Sequence, residues 1–174
     1  MSDPRYPIGK FSPTETLSDE QRTRCIHDIT EAPAALRAAV AGLSDAQLDT
    51  PYRPDGWTVR QVVHHLPDSH LNAYVRFKLT LTEMEPTVKP YDESLWAELH
   101  DARTAGIGIS LELLESLHTR WVIFLKSLTP EDFERKLIHP ESGVMKLHRS
   151  LQLYAWHGRH HVAQITSLRE RMKW

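Results

Sequence analysis

The chain has 174 residues, of which 40% are hydrophobic and 25% charged, a composition that excludes a disordered or collagen-like protein. Lys and Arg number 21 and Asp and Glu 23, so the formal charge of −2 provides no basic face for nucleic acid. The single cysteine, Cys25, excludes an internal disulfide and a cysteine-rich zinc cluster, whereas 11 histidines are available as nitrogen ligands. We expect one domain over residues 1–174.

Residues 1–17 are rich in proline and weakly periodic, which predicts an extended arm on the surface. The segment from Met1 to Lys10 has no apolar core of the kind that signal peptides carry. No run approaches the roughly 20 apolar residues of a membrane span. We therefore expect a cytoplasmic location and no membrane partner.

The first helix is predicted to begin after Ser18, because Ser18 and Gln21 have the spacing of a capping box. Apolar residues then recur at helical spacing for about 20 residues, as far as Gly42, with a kink expected at Pro33. Residues 44–56 follow as a connection, with one helical turn predicted at 45–48.

A second capping box, formed by Thr58 and Gln61, predicts a helix that extends to about Thr82. Pro67 lies inside this helix and has no N–H to donate to the carbonyl of Val63. We expect it to bend the helix close to His64 and His65.

The remaining elements are predicted from periodicity and turn residues. They are a short helix over 92–102, a long helix whose apolar face runs from Leu111 to Leu128, a turn or two of helix after Pro130, a small hairpin pairing 136–139 with 144–147, and a last helix over 149–172. Four long amphipathic helices and one short accessory helix indicate an all-α bundle.

Two histidines of the last helix, His157 and His161, are four residues apart and therefore lie on one face, about one turn from each other. On a helical wheel this face also carries Tyr154, Ile165 and Leu168, whereas His160 lies on the opposite flank. The pair is therefore expected to point into the bundle. Two imidazoles in this arrangement can share a metal ion or form hydrogen bonds at the edge of the core.

A catalytic metal site usually has three protein ligands, and the second helix supplies three candidates for the third one. The wheel places His65 at the edge of the apolar stripe, His70 near its middle and His64 outside it. Periodicity predicts that His64 faces outward but does not choose between His65 and His70.

The other histidines receive simpler interpretations. His27, His100, His139 and His148 are expected at the surface, and His118 is expected in the core with its hydrogen bonds satisfied. Cys25 is interpreted as a packing residue, since its helical face carries no basic neighbour that would activate the thiol. The five tryptophans, at positions 57, 96, 121, 156 and 174, are expected to fill the core.

An ordered set of short motifs extends along the chain. The motifs are Tyr6-Pro7-Ile8-Gly9, Pro51-Tyr52-Arg53 with Gly56 to Leu66, Asp68 to Lys78, Lys89-Pro90-Tyr91-Asp92, and Leu153-Tyr154 with Trp156-His157 and His160-His161. In this order they resemble the YfiT branch of the DinB superfamily. The resemblance covers essentially the full chain, and the combination is more specific than any one motif.

The resemblance implies a four-helix bundle of up-down-down-up topology, a homodimer, and one divalent metal ion held by three histidines. In the family pattern the first ligand immediately precedes the leucine of the second-helix motif, which is His65 in this sequence. The other two ligands are the pair on the last helix, His157 and His161. The resemblance thus selects His65, where periodicity left two residues open.

Three imidazoles with open coordination positions suit either of two reactions. The first is metal-dependent hydrolysis, which the resemblance implies, with Zn²⁺ expected from its availability and Ni²⁺ compatible with imidazole ligands. Asp68, Ser69 and Tyr154 are one helical turn from the ligands and are candidates for handling protons. The second is transfer of a small thiol, since some proteins of this resemblance are similar to thiol S-transferases that use bacillithiol or mycothiol. A metal-binding sensor without catalytic activity is a further alternative, since a fold does not fix a function.

Overall fold

The computed structural model describes residues 3–174, and residues 1–2 of the predicted arm lie outside this range. The described residues form seven α-helices and one antiparallel hairpin. The helices are α1 (Asp19–Val40), α2 (Asp45–Leu48), α3 (Val59–Thr82), α4 (Glu93–Ala97), α5 (His100–Thr104), α6 (Ile107–Lys126) and α7 (Leu147–Met172). The hairpin pairs β1 (Lys136–His139) with β2 (Gly143–Lys146), and a 3-10 turn at Asp132–Glu134 precedes it.

The long helices α1, α3, α6 and α7 form the bundle. Helix α1 packs against α6 and α7, and α3 packs against the same two helices, so α1 and α3 lie diagonally opposite each other. Helices that follow each other along the chain are therefore not always neighbours in space.

The direction of α1 relative to its neighbours follows from individual side-chain contacts. The contacts with α7 are Asp28 with Arg159 and Ala39 with Arg169, and the contacts with α6 are Ile29 with His118 and Arg37 with Glu115. In the contacts between α1 and α7, the residue numbers of both helices rise together. In the contacts between α1 and α6, the residue numbers of α6 fall as those of α1 rise. Helices α1 and α7 are therefore parallel, and α6 is antiparallel to both.

Helix α3 has the opposite relation to its neighbours. Its contacts with α6 are His64 with Ser110 and Tyr74 with Phe124, and those with α7 are His65 with His161 and His70 with Tyr154. Helix α3 thus runs parallel to α6 and antiparallel to α7. The bundle has the up-down-down-up order, which confirms the topology implied by the family resemblance.

Both predicted capping boxes are present. The Ser18 side chain accepts from the Gln21 amide while the Gln21 side chain accepts from the Ser18 amide, and Thr58 and Gln61 do the same at the start of α3. Two of the four amide groups left free at a helix start are satisfied in this way. Both helices continue without a break through their internal prolines, Pro33 and Pro67.

The predicted accessory helix over 92–102 is wrong in detail, because two short helices replace it. Helix α4 is capped by the Asp92 side chain and ends at Ala97, and Leu99, in extended conformation, then starts α5. The last helix begins at Leu147, two residues earlier than the predicted start at 149. Strand β2 begins at Gly143, whose positive φ of 72° suits a turn residue without a side chain.

Two apolar clusters fill the bundle at different heights. One surrounds Phe77 and Trp121 near the hairpin, and the other surrounds Val62, Leu114 and Ile165 at the opposite end. On α7, His157 and His161 lie between the cluster residues Ala155 and Ile165, and on α3, His70 lies between Leu66 and Ala73. The bundle therefore has a polar layer between two apolar ends.

The expectation that all five tryptophans fill the core is wrong, since only Trp121 is fully buried. Trp57, Trp156 and Trp174 are partly exposed, and Trp96 is 39% exposed. Trp96 is on the short helix α4, which lies outside the bundle, and its ring packs on Tyr91 at a centroid distance of 4.5 Å. A helical wheel of the long helices contains no information on such peripheral segments.

Two histidines expected at the surface are buried. The His64 ring contacts Ser110 Oγ at 2.7 Å and the Ala105 carbonyl at 3.1 Å, because the residues before α6 cover the flank predicted to face outward. His148 is 5% exposed, because the hairpin and the 3-10 turn pack over the first turns of α7. His27 and His100 are exposed, as expected, and His139 is half-buried.

Residues 3–17 contain no helix or strand and lie against α7. Gln164 donates to the Arg5 carbonyl, Trp156 donates to the Gly9 carbonyl, and the Thr14 amide donates to Gln152. The segment therefore covers one flank of the last helix. Within residues 3–174, none of the helices combines the length and the apolar character that a membrane crossing needs.

Candidate metal centre

Three histidine rings converge at one point of the polar layer. His65 reaches it from α3, and His157 and His161 reach it from α7, one turn apart. The Nε2 atom of His157 lies 3.3 Å from Nε2 of His65 and 3.2 Å from Nε2 of His161. One ligand nitrogen from each of the three rings lies within 4.8 Å of the others.

These separations fit one metal ion. Two nitrogens that are each about 2.05 Å from a zinc ion and bonded at a tetrahedral angle are about 3.3 Å apart. Direct hydrogen bonding accounts for the two contacts less well, since each nitrogen of a neutral imidazole has either one N–H or one lone pair and Nε2 of His157 faces two partners. The donor set, three nitrogens without sulfur, suits zinc and nickel.

The tautomer of His161 is fixed by its neighbours. Its Nδ1 lies 2.8 Å from Gln164 Oε1, and the amide nitrogen of Gln164 donates to the Arg5 carbonyl. This carbonyl can only accept, so the oxygen of the Gln164 amide must face His161. The proton of His161 is therefore on Nδ1, which leaves a lone pair on Nε2 for a metal.

All three rings are neutral at neutral pH. Burial lowers the pKa of His65 to about 4. Burial, followed by repulsion from neighbouring histidines, lowers the pKa of His157 and of His161 well below the usual value. Neutral imidazole is the form that coordinates a metal, so the site has the correct protonation before any ion arrives.

His70, the alternative third ligand, does not point to the place where the three Nε2 atoms meet. Its Nε2 lies 3.1 Å from Nδ1 of His157, and its Nδ1 lies 2.8 Å from Nε2 of His118. The rings of His70 and His118 are both buried, as expected for core histidines. His70 thus contacts the back of a candidate ligand, and His65 is the residue of α3 that joins the cluster.

The three rings open onto a cleft of about 380 Å³. Its walls include Ser69 and Tyr154, two of the candidates for proton handling. Burial raises the pKa of the Tyr154 phenol, so this group is a hydrogen-bond donor rather than a base. Asp68 is not among the described residues that line the cleft; burial and the charge of Asp101 raise its pKa to about 6.

Sequence reasoning missed several residues of the cleft, above all Arg76 and Tyr91. Arg76 donates to the Lys89 carbonyl at 2.9 Å, which holds its guanidinium at the cleft wall. Burial raises the pKa of Tyr91 to about 12, against a lowering contribution from the Ser69 hydroxyl. Both residues are part of the motifs quoted above, but periodicity cannot bring a loop residue and a helix residue together.

Aromatic rings close the remaining sides of the site. The Trp57 ring packs against His65 at a centroid distance of 4.7 Å. On the other flank, Trp156 stacks on His160 at 4.3 Å, and His160 contacts Gln164. His160, which the wheel placed opposite the pair, is thus buried beneath the arm and supports the Gln164 amide that orients His161.

Comparison with known proteins identifies the family of this chain. A family model described as DinB superfamily matches residues 28–165. The chain belongs to the DinB superfamily. The match includes the positions of all three converging histidines.

Relatives match this DinB-superfamily chain from end to end. A Bacillus mycoides protein, provisionally named a metal-dependent hydrolase, is 55% identical over 174 residues and covers both chains completely. A Bacillus cereus protein of the same provisional name is 54% identical over the same span. Among solved structures, YfiT from Bacillus subtilis is 51% identical, covers 98% of each chain and superposes with a TM-score of 0.96. YfiT is described as a probable metal-dependent hydrolase with an unusual four-helix bundle topology.

Proposed function

We propose that this protein is a hydrolase that uses one divalent metal ion bound by His65, His157 and His161. The ion proposed is Zn²⁺. The observation that carries the proposal is the convergence of three Nε2 atoms, two pairs of which are 3.2 and 3.3 Å apart, at a cleft of about 380 Å³. The provisional names of the relatives support the same class of reaction.

A metal ion held at this position supplies Lewis-acid activation of water and of a carbonyl group. The protein supplies the shaped surroundings of this position. His65 and His161 are buried and His157 is half-buried, and Trp57 and Trp156 are among the residues that line the cleft. The rings are therefore packed against protein on the side away from the cleft.

Three residues of the cleft can each bind a particular chemical group of a substrate. Ser69 and Tyr154 present neutral hydroxyl groups beside the three rings and can donate to a carbonyl oxygen. The Arg76 guanidinium has N–H groups beyond the one bound to Lys89, and it can hold a carboxylate or another anionic group. We therefore propose a small substrate with a hydrolysable carbonyl at one end and an anionic group at the other.

A panel of small esters and amides, each in a carboxylated and an uncharged form, tests this function with Zn²⁺- and Ni²⁺-loaded protein. We expect hydrolysis by the wild type and none by His157→Ala. The matched control is His27→Ala, which removes a histidine whose side chain is 68% exposed on α1 and should retain full activity. Absence of metal-dependent turnover on the entire panel would refute the hydrolase proposal.

Thiol transfer is the alternative outcome of the same panel when low-molecular-weight thiols and a chromogenic electrophile are added. The thiolate would have to come from the substrate, since Cys25 is on α1 and does not line the cleft. Burial also raises the pKa of its thiol, which disfavours the reactive thiolate. A rate above the thiol-only control would indicate a transferase, and ligand-induced stabilisation without turnover would indicate a sensor.

A further inference from the structure

A continuous line of hydrogen bonds leads away from the candidate metal position to the opposite side of the bundle. It begins at His157 Nδ1, passes through His70 and His118, and ends at the carbonyl oxygen of Ile29 on α1. The successive distances are 3.1, 2.8 and 2.6 Å. The line thus connects α7, α3, α6 and α1, all four long helices of the bundle.

The last acceptor determines the direction of every bond in the line. A backbone carbonyl can only accept, so Nδ1 of His118 must carry its proton. Neutral His118 then accepts at Nε2, which requires His70 to donate from Nδ1. By the same reasoning His70 accepts at Nε2, and His157 must donate from Nδ1.

The sequence explains why the Ile29 carbonyl is free. In an uninterrupted helix this oxygen would accept the amide proton of residue 33, four positions later. Residue 33 is Pro33, which has no N–H. The proline therefore leaves an acceptor inside the bundle, and Nδ1 of His118 contacts it at 2.6 Å.

The ring of His70 has little freedom to turn away. It is fully buried and has edge-to-face contacts with Trp121 and Tyr154 at centroid distances of 5.9 and 5.3 Å. A side chain at Gly158 would meet Ala32 at 3.0 Å and the His70 ring at 3.8 Å. Close packing of α1, α3 and α7 thus holds the ring in line.

We propose that Ile29, His118 and His70 form a directional relay that sets His157 as the Nδ1–H tautomer and so directs its Nε2 lone pair toward the metal position. His70 and His118 act as positioning residues. The proposal deepens the proposed metal site and rests on it for the role of His157. Gln164 sets the tautomer of His161 by a separate contact, so each ligand of α7 has its own orienting group.

The relay itself is tested on metal-free wild-type protein by long-range ¹H–¹⁵N correlation spectra of the imidazole rings, which distinguish the two neutral tautomers. We expect His118, His70 and His157 all to carry the proton on Nδ1. An Nε2–H tautomer in any of the three rings would overturn the proposal. This measurement requires no metal, so its result does not depend on whether the proposed function is correct.

Metal affinity tests the consequence for the site, measured by competition between the protein and a chromogenic chelator for Zn²⁺. We expect His70→Leu to lower the affinity about 10- to 100-fold, the range typical of groups that orient a metal-binding histidine. His118→Leu should lower it as well, and His118→Gln should restore it, since an amide can both donate to Ile29 and accept from His70.

The matched control is His148→Leu, the same substitution at another buried histidine, whose ring nitrogens have no hydrogen-bond partner. It should bind Zn²⁺ like the wild type. Circular dichroism establishes that each variant is folded before its affinity is compared. Equal affinity of folded His70→Leu and His148→Leu would overturn the proposal, whereas a wild type that binds no metal but keeps the three tautomers would refute only the metal site.

Discussion

Acid should destabilise the metal-free bundle through buried neutral histidines, and His118 allows the contribution of one ring to be isolated. Burial lowers its pKa to about 4, although its bond to the Ile29 carbonyl opposes the shift. In the unfolded chain the value is about 6.5. The unfolded state therefore binds more protons between these two values, and the stability due to the neutral ring is lost as the pH falls from 6.5 toward 4.

The magnitude follows from the two pKa values. Between pH 7 and pH 5 the difference in proton binding by His118 should cost about 2 kcal/mol of unfolding free energy. Domains of this kind are stable by about 5–15 kcal/mol, so one ring accounts for a substantial part of the total. His118→Gln removes the titration but keeps a neutral side chain that can donate and accept.

Urea unfolding of metal-free protein, followed by circular dichroism at pH 7 and pH 5, measures the effect. We expect the wild type to lose about 2 kcal/mol more than His118→Gln between the two pH values. His27→Gln, at an exposed position, should lose as much as the wild type. Equal losses in His118→Gln and the wild type would refute the conclusion that His118 is neutral in the folded protein.

Three further predictions concern packing, substrate binding and assembly. Gly158→Ala should lower the unfolding free energy by about 1 kcal/mol, because overpacking against Ala32 at 3.0 Å outweighs the gain in helix propensity. An unchanged melting temperature would contradict this prediction. Arg76→Gln should raise KM for a carboxylated substrate about 10-fold or more and leave KM for its uncharged analogue unchanged; equal effects on both would remove the anion-binding role. Size-exclusion chromatography with light scattering should give twice the mass of one chain, as the family resemblance implies, and a monomer mass would contradict the homodimer.

The starts of the first two long helices and the all-α class were predictable from local sequence signals, whereas the up-down-down-up topology was implied by the family resemblance. The capping residues Ser18 and Thr58 start α1 and α3 where predicted. The inward direction of His157 and His161 followed from the apolar residues on the same face. These predictions required only the neighbours of a residue along its own helix.

The errors arose where a different segment covers a helix face. His64 was expected outside, but Ala105 and Ser110 contact its ring. His148 was expected in solvent, but the hairpin buries it. The choice between His65 and His70 also depends on where α7 lies relative to α3, and no single-helix wheel contains that information. The relay through Ile29 joins residues that are 89 positions apart and could not be found from spacing.

The metal content of the purified protein tests the central claim most directly. Protein purified without an affinity tag and saturated with Zn²⁺ is dialysed and measured by elemental analysis, for the wild type, His161→Ala and the exposed control His27→Ala. We expect about one ion per chain in the wild type and the control, and almost none in His161→Ala, since two imidazoles seldom retain a metal. Equal, negligible metal in the wild type and His161→Ala would contradict the assignment of His65, His157 and His161 as a metal centre.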